Sequence, residues 1–439
     1  MSANTDFEFS DRESLVRLQL KKLREMLCPL LKTNAFYRQK LVRAGVKQPD
    51  DVQTPEDYFQ LPFTTKQELS ADQRDHPPYG TNLTFPPEHY IRVHQTSGTT
   101  GDPLRWLDTK ESWGWWARCW GAVYRAGGVT AADRIFFAFS FGPFIGFWSA
   151  LEGARFTGAL SISGGGMPSE QRLRAILSEE ASVLICTPTY ALYLAEVAAA
   201  EGIDIAHSGI GITFHAGEPG ASLPATRQRI EQAWNARCYD HVGATEVGAW
   251  GYECQVQAGG HLNEGEFICE VVDPVTGDPA EEGELVITNL GRVGMPVIRY
   301  RTGDRVKLLR APCECGRMFW RLEGGVVGRI DDVLIVRGVN VYPSAIENTV
   351  RRFPEVGEFA VDVYRRDALD ELEIRLEVNG ADPDRVASAV AKEVWHVLGI
   401  RATVEAVPHS TLPRFELKAR RFRDHRKTED GKFGGRTDR

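Results

Sequence analysis

From His94 onward, short apolar runs alternate with glycine-rich turns and helical stretches: RIFFAFS, GALSISGGG, SVLICTP and IGITFHAGEPG follow one another along the chain. Strand segments separated by helices pack as crossover units, so this region predicts an α/β fold with a mainly parallel sheet. Ligands in such sheets bind beyond the carboxyl ends of the strands, which directs attention to the loops after those runs. Before this region, residues 10–46 read as helices, because Leu15, Leu18, Leu20, Leu23 and Leu27 recur at near-helical spacing among charged residues. After it, EFICEVVDP, GELVITNL and VIRYRTGDRVKLL are β-rich with turn residues between them, and predict a β-subdomain over about residues 265–328. GRIDD then marks a boundary. Beyond it, VLIVRGVNVYP, EFAVDVYRR and ELEIRLEVNG alternate with the helical patterns SAIENTVRRF and ADPDRVASAVAKEVWHVLG. The division expected is a large N-terminal part, residues 1–328, and a small α+β C-terminal unit, residues 329–439, of an ordinary domain size.

Bulk properties exclude several classes. A chain of 439 residues is too long for one ordinary core. A formal net charge of -8 argues against a polyanion partner such as nucleic acid, and the basic run from Arg414 to Arg439 reads as a solvated tail. The start of the chain is polar and acidic, without the basic and apolar regions of a signal peptide. Ile135 to Leu151 carries no charge, but Gly142, Pro143 and Gly146 interrupt it; a strand, a loop and a helix start account for it better than a membrane span. The 8 cysteines are scattered and no secretory leader precedes them, so reduced thiols in the cytoplasm are expected.

Thr96-Ser97-Gly98-Thr99-Thr100-Gly101 is poor core material and good material for a loop that wraps phosphate, with amides and hydroxyls as donors. It is not a Walker A loop, because no Gly-Lys-Ser/Thr follows, and a P-loop kinase or ATPase is set aside. Asp240-His241-Val242-Gly243-Ala244-Thr245-Glu246 sets a hydroxyl beside a carboxylate after a glycine turn, so that Thr245 can meet a phosphate and Glu246 can hold Mg²⁺. Tyr300-Arg301-Thr302-Gly303-Asp304 puts a carboxylate in a tight turn, apt for two ribose hydroxyls, and Arg329 can join it. Singly, each motif also fits a satisfied turn or a surface charge.

The order TSGTTG, HAGEP, DHVGATE, YRTGD, GRIDD and a late Lys418 resembles the acyl-adenylate-forming superfamily. More narrowly it resembles the phenylacetate-CoA ligase family of aryl-CoA ligases, through LPFTTKQEL at Leu61 to Leu69 and GRIDDVLIVRGVNVYPSAIE at Gly328 to Glu347. The likeness runs from Leu61 to Lys418. It implies an ATP- and Mg²⁺-dependent ligase that forms an acyl-adenylate and transfers the acyl group to coenzyme A, with a mobile C-terminal unit. By the same resemblance, the loop from Thr96 to Gly101 holds the β,γ-phosphates, and Gly217, Glu218 and Pro219 flank the adenine, with Asp240 and His241 nearby. Thr245 meets the α-phosphate, Glu246 the Mg²⁺, and Asp304 and Arg329 the ribose. Asp331 is the hinge, Lys418 the adenylation lysine, and Gly338 lies by the pantetheine tunnel. Two departures stand out: Leu417 precedes the lysine where the family usually has glycine, and Val242 stands where many relatives carry tyrosine. Relatives are often homodimers, but no interface is readable here.

Cys313-Glu314-Cys315-Gly316 is a Cys-x-Cys turn, and Cys254 and His261 lie upstream in ECQVQAGGH. Four soft ligands from two loops suit a closed, structural Zn²⁺ site, although the spacing is not that of a standard finger. The resemblance adds relatives that share the pattern. Cys28, Cys119, Cys186, Cys238 and Cys269 read as buried small hydrophobes. For the acid, Phe139, Phe141, Phe144, Phe147 and Trp148 offer apolar walls, Gly164 and the glycines after it offer space, and His215 and His241 offer polar contacts. Core packing is the plain alternative for each aromatic. The apolar richness suits an aromatic carboxylic acid. A carrier-protein thiol is the alternative acceptor, and a non-catalytic nucleotide-binding regulator is disfavoured by the presence of Lys418.

Overall fold

The computed structural model describes residues 6–96, 103–337, 339–366, 369–415 and 418–426. Ser97, Gly98, Thr99, Thr100, Gly101, Gly338 and Leu417, all singled out above, lie outside the described residues.

The leucine periodicity at the start becomes two helices, α1 (Arg12–Thr33) and α2 (Ala35–Arg43), which bury Leu15, Leu20, Leu23 and Leu27. Asn34 both ends the first and starts the second: its N–H donates to Leu30 O, and its Oδ1 accepts from Tyr37 N–H. Two short helices follow, α3 (Pro55–Phe59) and α4 (Lys66–Asp75), each begun by a capping box, Thr54 with Asp57 and Thr65 with Glu68. Next comes an antiparallel ribbon of β1 (Tyr90–Gln95) and β2 (Arg105–Thr109). Thr96 closes its connecting loop, donating its N–H to Leu104 O (2.9 Å) while Oγ1 accepts from Leu104 N–H (3.0 Å).

Helices and strands then alternate as the apolar runs predict: α5 (Lys110–Gly127), β3 (Arg134–Phe137), α6 (Ile145–Thr157), β4 (Leu160–Ser163), α7 (Ser169–Ser178), β5 (Val183–Cys186), α8 (Pro188–Ala200), β6 (Ile212–His215), α9 (Pro224–Trp234) and β7 (Arg237–Ala244). The strands run parallel in the order β4-β3-β5-β6-β7. The uncharged stretch from Ile135 is β3, a loop and the start of α6, and no described helix is long and apolar enough to cross a membrane.

Strand β7 changes the character of the sheet. Arg237–Asp240 pair parallel with β6, whereas His241–Ala244 pair antiparallel with β8 (Gly248–Tyr252). The sheet continues through β9 (Gly260–Leu262), β10 (Phe267–Val272), β11 (Glu282–Asn289), β12 (Tyr300–Leu309) and β13 (Arg321–Arg329) to 11 strands, with β8-β9-β13-β12-β11-β10 all antiparallel. The antiparallel half therefore begins near residue 241, earlier than the β-rich sequence suggests, because β8 and β9 are short and glycine-containing. The C-terminal unit opens with a hairpin, β14 (Leu334–Val336) and β15 (Val339–Val341). It continues with α10 (Pro343–Val350), β16 (Val356–Arg366), β17 (Leu369–Val378), α11 (Pro383–Leu398), β18 (Ala402–Val407) and β19 (Phe422–Asp424), in sheet order β18-β17-β16-β19. Val361, Val363, Leu372, Ile374 and Leu376 alternate inward and meet Val386, Val390 and Val394 of α11.

Among the described residues of the large part, the Arg292–Asp108 ion pair is completely buried. Arg292 donates Nε to Asp108 Oδ1 (2.8 Å) and Nη2 to Oδ2 (2.6 Å), and both side chains are fully enclosed. The guanidinium lies near the rings of Trp106 and Trp116 (5.2 and 5.5 Å) and gives its remaining nitrogen to Thr245 O (2.6 Å). Truncating one partner strands a charge in this apolar shell, so Asp108→Ala is expected to lower unfolding stability by about 3–5 kcal/mol in urea titration. A loss within the scatter of surface substitutions overturns that assignment.

Candidate active site

Parallel strands deliver their carboxyl ends to one edge, and the sequence motifs emerge there. Strand β6 ends at His215, and after Ala216 come Gly217, Glu218 and Pro219. Strand β7 ends at Ala244, directly before Thr245 and Glu246. Gly217 has φ +98°, a left-handed conformation that favours glycine, and Lys418 lies against it: a Cβ built there sits 3.6 Å from the Lys418 Cε. Glu218 Oε2 accepts from the N–H of Ala419, the next residue, at 2.7 Å. The HAGEP loop and the late lysine, 201 positions apart by the Glu218–Ala419 bond, are thus in contact.

The turn after β7 is held from below by Arg292, through the carbonyl of Thr245. Its Glu246 carboxylate makes no hydrogen bond or ion pair among the described residues, which leaves it available to a cation. Asp304 and Arg329 are register partners on β12 and β13, joined at 3.3 Å, and Arg329 Nη1 also donates to Thr302 O (3.1 Å). Burial pushes the Asp304 carboxyl up to about 6; Arg329 pulls it down and the charge of Glu246 adds to the rise. Asp304 does not sit in a tight turn, as its sequence suggests. It lies within β12 beside a bulge, where Gly303 takes φ +76° and donates its N–H to Glu284 Oε1 (3.0 Å). Asp331 accepts from Arg329 Nε at 2.9 Å, in the turn that leads to β14.

Asp240 is buried, its Oδ2 near both Gly325 and Ser222, and burial with the adjacent Glu253 charge raises its carboxyl to about 8. His241 donates Nδ1–H to Gly251 O (2.8 Å) and meets the Trp120 ring at 4.2 Å, tilted by 50°; burial lowers it to about 4, so the ring is neutral and Nε2 carries a lone pair. Trp120 also donates Nε1–H to Ser149 Oγ of α6 (2.8 Å), which joins His241 to the aromatic helix. Phe139 stacks on Phe147 at 3.5 Å and lies 5.2 Å from Phe141, which meets Trp148 at 4.5 Å. These aromatics form one cluster at the carboxyl end of β3.

Three expected pocket residues have other occupations. His215 is fully buried, with Nδ1 at 3.2 Å from Cys186 O and Nε2 at 2.9 Å from Thr213 Oγ1, so no ring nitrogen remains for a substrate. Gly164 opens no space: a Cβ there falls 2.8 Å from the Phe136 ring and 2.9 Å from Phe137 O, and it is Gly165 that approaches Phe141. Phe144 is exposed at the N-terminus of α6. Residues that the motifs did not reveal include Arg292, Asp108 and Trp120, because each acts through a partner far away in the chain.

Cys254, His261, Cys313 and Cys315 converge, with all four ligand atoms within 4.8 Å of one another. Cys254 Sγ and Cys313 Sγ are 3.8 Å apart, and Cys315 Sγ and His261 Nε2 are 3.5 Å apart. A tetrahedral Zn²⁺ with Zn–S of about 2.3 Å and Zn–N of about 2.0–2.1 Å has S···S edges of about 3.8 Å and S···N edges of about 3.5 Å. His261 Nδ1 faces Phe319 O at 3.3 Å, which turns Nε2 toward the sulfurs. The other cysteines are buried as expected, except Cys28, which is exposed on α1.

Residues 338–426 match the family described as AMP-binding enzyme C-terminal domain. The phenylacetate-coenzyme A ligase of Thermus thermophilus is 32% identical over 97% of this chain and 100% of its own. Among solved structures, 2-hydroxyisobutyryl-CoA ligase in the postadenylation state, in complex with R3-HIB-AMP, is similar at a TM-score of 0.90 and 29% identity, over 96% of this chain and 92% of that one. The same ligase with 2-HIB-AMP and CoA in the thioesterification state gives 0.72 at 30% identity over the same shares. With full-length identity of this order, the chain belongs to the phenylacetate-CoA ligase family, and it is an AMP-forming CoA ligase that makes an acyl-adenylate and then a CoA thioester.

Proposed function

We propose that this ligase activates an aromatic carboxylic acid and passes it to free coenzyme A, giving aryl-CoA, AMP and pyrophosphate. In the first half-reaction a carboxylate oxygen of the acid bonds to the α-phosphorus of ATP and pyrophosphate leaves. In the second, the CoA sulfur bonds to the acyl carbon, AMP leaves and the thiol proton passes to solvent. The observation that carries the reading is the seat of Lys418 on Gly217, at the sheet edge from which the turn bearing Thr245 and Glu246 also leaves the neighbouring parallel strand. An ammonium held there stabilises the charge that grows on the phosphates as pyrophosphate departs.

In this reading Thr96 and the loop it closes bind the β,γ-phosphates, Thr245 the α-phosphate, and Asp304 with Arg329 the ribose. Pro219 and Asp240 border the adenine. Mg²⁺, when bound, neutralises phosphate charge, and the unpartnered Glu246 carboxylate is the group to hold it. The C-terminal unit turns about Asp331 between the half-reactions and brings the β14–β15 hairpin, with Gly338, to the pantetheine arm. Two arrangements of the similar hydroxyisobutyryl-CoA ligase support such a turn. The Phe139–Phe147–Phe141–Trp148 cluster supports an aromatic acid. One observation favours a hydroxy acid instead: the lone pair on His241 Nε2 accepts a donor that an unsubstituted ring lacks. Structural Zn²⁺ held by Cys254, His261, Cys313 and Cys315 completes the proposal, supported by the tetrahedral edges above.

Incubation with ATP, Mg²⁺ and CoA over a panel of aryl and short hydroxy acids is expected to give AMP and an acyl-CoA, with aryl acids turned over best; a preference for the hydroxy acids, or for a carrier-protein thiol, replaces the reading. Lys418→Ala is expected to slow acid-dependent ATP–pyrophosphate exchange about 100-fold, and unaltered exchange removes the lysine from its role. Asp304 accepts ribose hydroxyls as a carboxylate, and its folded pKa lies above the ordinary carboxylate value. Adenosine affinity is therefore expected to weaken as pH falls through about 6, while Asp304→Asn binds weakly and without pH dependence in that window. A flat wild-type profile in calorimetry counts against this. Elemental analysis is expected to find about one zinc per chain, with Cys313→Ser lowering both zinc content and Tm; zinc-free protein of undiminished Tm ends the metal assignment.

A further inference from the structure

The side chain of Glu218 reaches across the chain's two parts. Oε1 accepts from the N–H of Thr189 at 3.0 Å, in the first turn of α8, and Oε2 accepts from the N–H of Ala419 at 2.7 Å. The Thr189 amide belongs to the set at a helix start that has no intrahelical partner, so its bond to Glu218 requires nothing from the C-terminal unit. That bond aims the second oxygen outward. Ala419 adjoins Lys418, whose side chain rests on Gly217, the residue before Glu218. Two consecutive residues of one loop therefore hold two consecutive residues of the lysine segment. Neighbouring contacts reinforce the seat: Arg421 donates to Thr189 Oγ1 (3.2 Å), and Arg414 pairs with Glu196 of α8 (3.1 Å).

We infer that Glu218 is a positioning residue for Lys418. Its carboxylate is a latch, anchored on α8, that closes on the Ala419 N–H to set the lysine for adenylation and opens for thioester formation. An ionised acceptor on a backbone amide makes a stronger bond than a neutral one, and its orientation is fixed before the segment arrives. This role differs from flanking the adenine, which the backbone of the same loop can still do. The inference rests on the two-step reading with a turning C-terminal unit given above.

Glu218→Gln keeps size and shape but leaves only one acceptor oxygen for two amides. In the full-length enzyme, acid-dependent ATP–pyrophosphate exchange reads adenylation, and acyl-CoA formation from chemically prepared acyl-adenylate reads the second step. The ratio of the first rate to the second is expected to fall about tenfold, the worth of one charge-assisted hydrogen bond. If both rates fall in step, the side chain serves nucleotide binding or general integrity, and the latch is overturned; an unmoved ratio overturns it equally. Should Glu218→Gln melt out, Glu196→Gln carries the test, because it removes the charge from the Arg414 pair at the periphery of the same seat. A fall in the ratio in the same direction is expected there, and none overturns the inference. Wild-type enzyme without exchange for any acid strikes the catalytic reading itself and takes the latch with it. Wild-type exchange with unshifted variants strikes the latch alone.

Discussion

The Arg292–Asp108 pair connects three segments that no local rule would bring together: the ribbon strand β2, the turn after β7 and the loop before β12. Buried ion pairs contribute little net stability compared with well-packed apolar groups, but breaking one is costly, so they specify position strongly. Here the guanidinium is satisfied only if Asp108 lies on one side and the Thr245 carbonyl on the other. Slippage of either segment would leave buried donors without partners. The β1–β2 ribbon and the Thr245–Glu246 turn are thereby held in one register. Gly291, beside the arginine, makes the approach feasible, since a Cβ there falls 2.1 Å from the Trp115 ring.

Strand β7 supplies the second constraint. Its parallel half belongs to the α/β sheet, whose strands β3, β5, β6 and β7 all end at one edge. Its antiparallel half returns immediately as β8, so the Thr245–Glu246 turn projects from the seam where the sheet changes direction. Across that seam β12 and β13 contribute Asp304 and Arg329. The residues assigned to the nucleotide in the proposed function thus come from both halves of one sheet, and the parallel half alone would not supply Asp304 and Arg329.

Part of this was legible in the sequence because the pattern is local there. Gly217 and the Thr245–Glu246 pair stand out as short motifs, and the structure sets both directly beyond the ends of neighbouring parallel strands. The apolar runs likewise revealed the parallel strands. Gly303 marks the limit: a left-handed glycine reads the same way in a tight turn and in a bulge, and only the partner strand β11 distinguishes them. His215 and Gly164 mislead for a related reason. A histidine after a strand and a glycine run are equally apt for a pocket or for close packing, and the deciding neighbours, Cys186, Thr213 and Phe136, arrive from other elements. Arg292 and Asp108 had no local signal, being 184 residues apart.

The docking of the C-terminal unit follows from the kind of contacts it makes. Its hydrophobic core is its own, with every buried member at residue 334 or beyond. Many of its contacts with the large part are polar, among them Glu218 with Ala419, Arg414 with Glu196, Arg421 with Thr189, Arg229 with Val356 O, Arg305 with Tyr342 and Ser344 with Val327 O. Each such bond exchanges with water on release and is worth about 0.5–1.5 kcal/mol net, more where a charge takes part. A handful of them amounts to a few kcal/mol, comparable with the differential binding by which a ligand can shift a two-state equilibrium. An apolar interface of the same extent would hold the unit in one arrangement. A polar one defines the seat of Lys418 by geometry and is compatible with the turn of the unit proposed above.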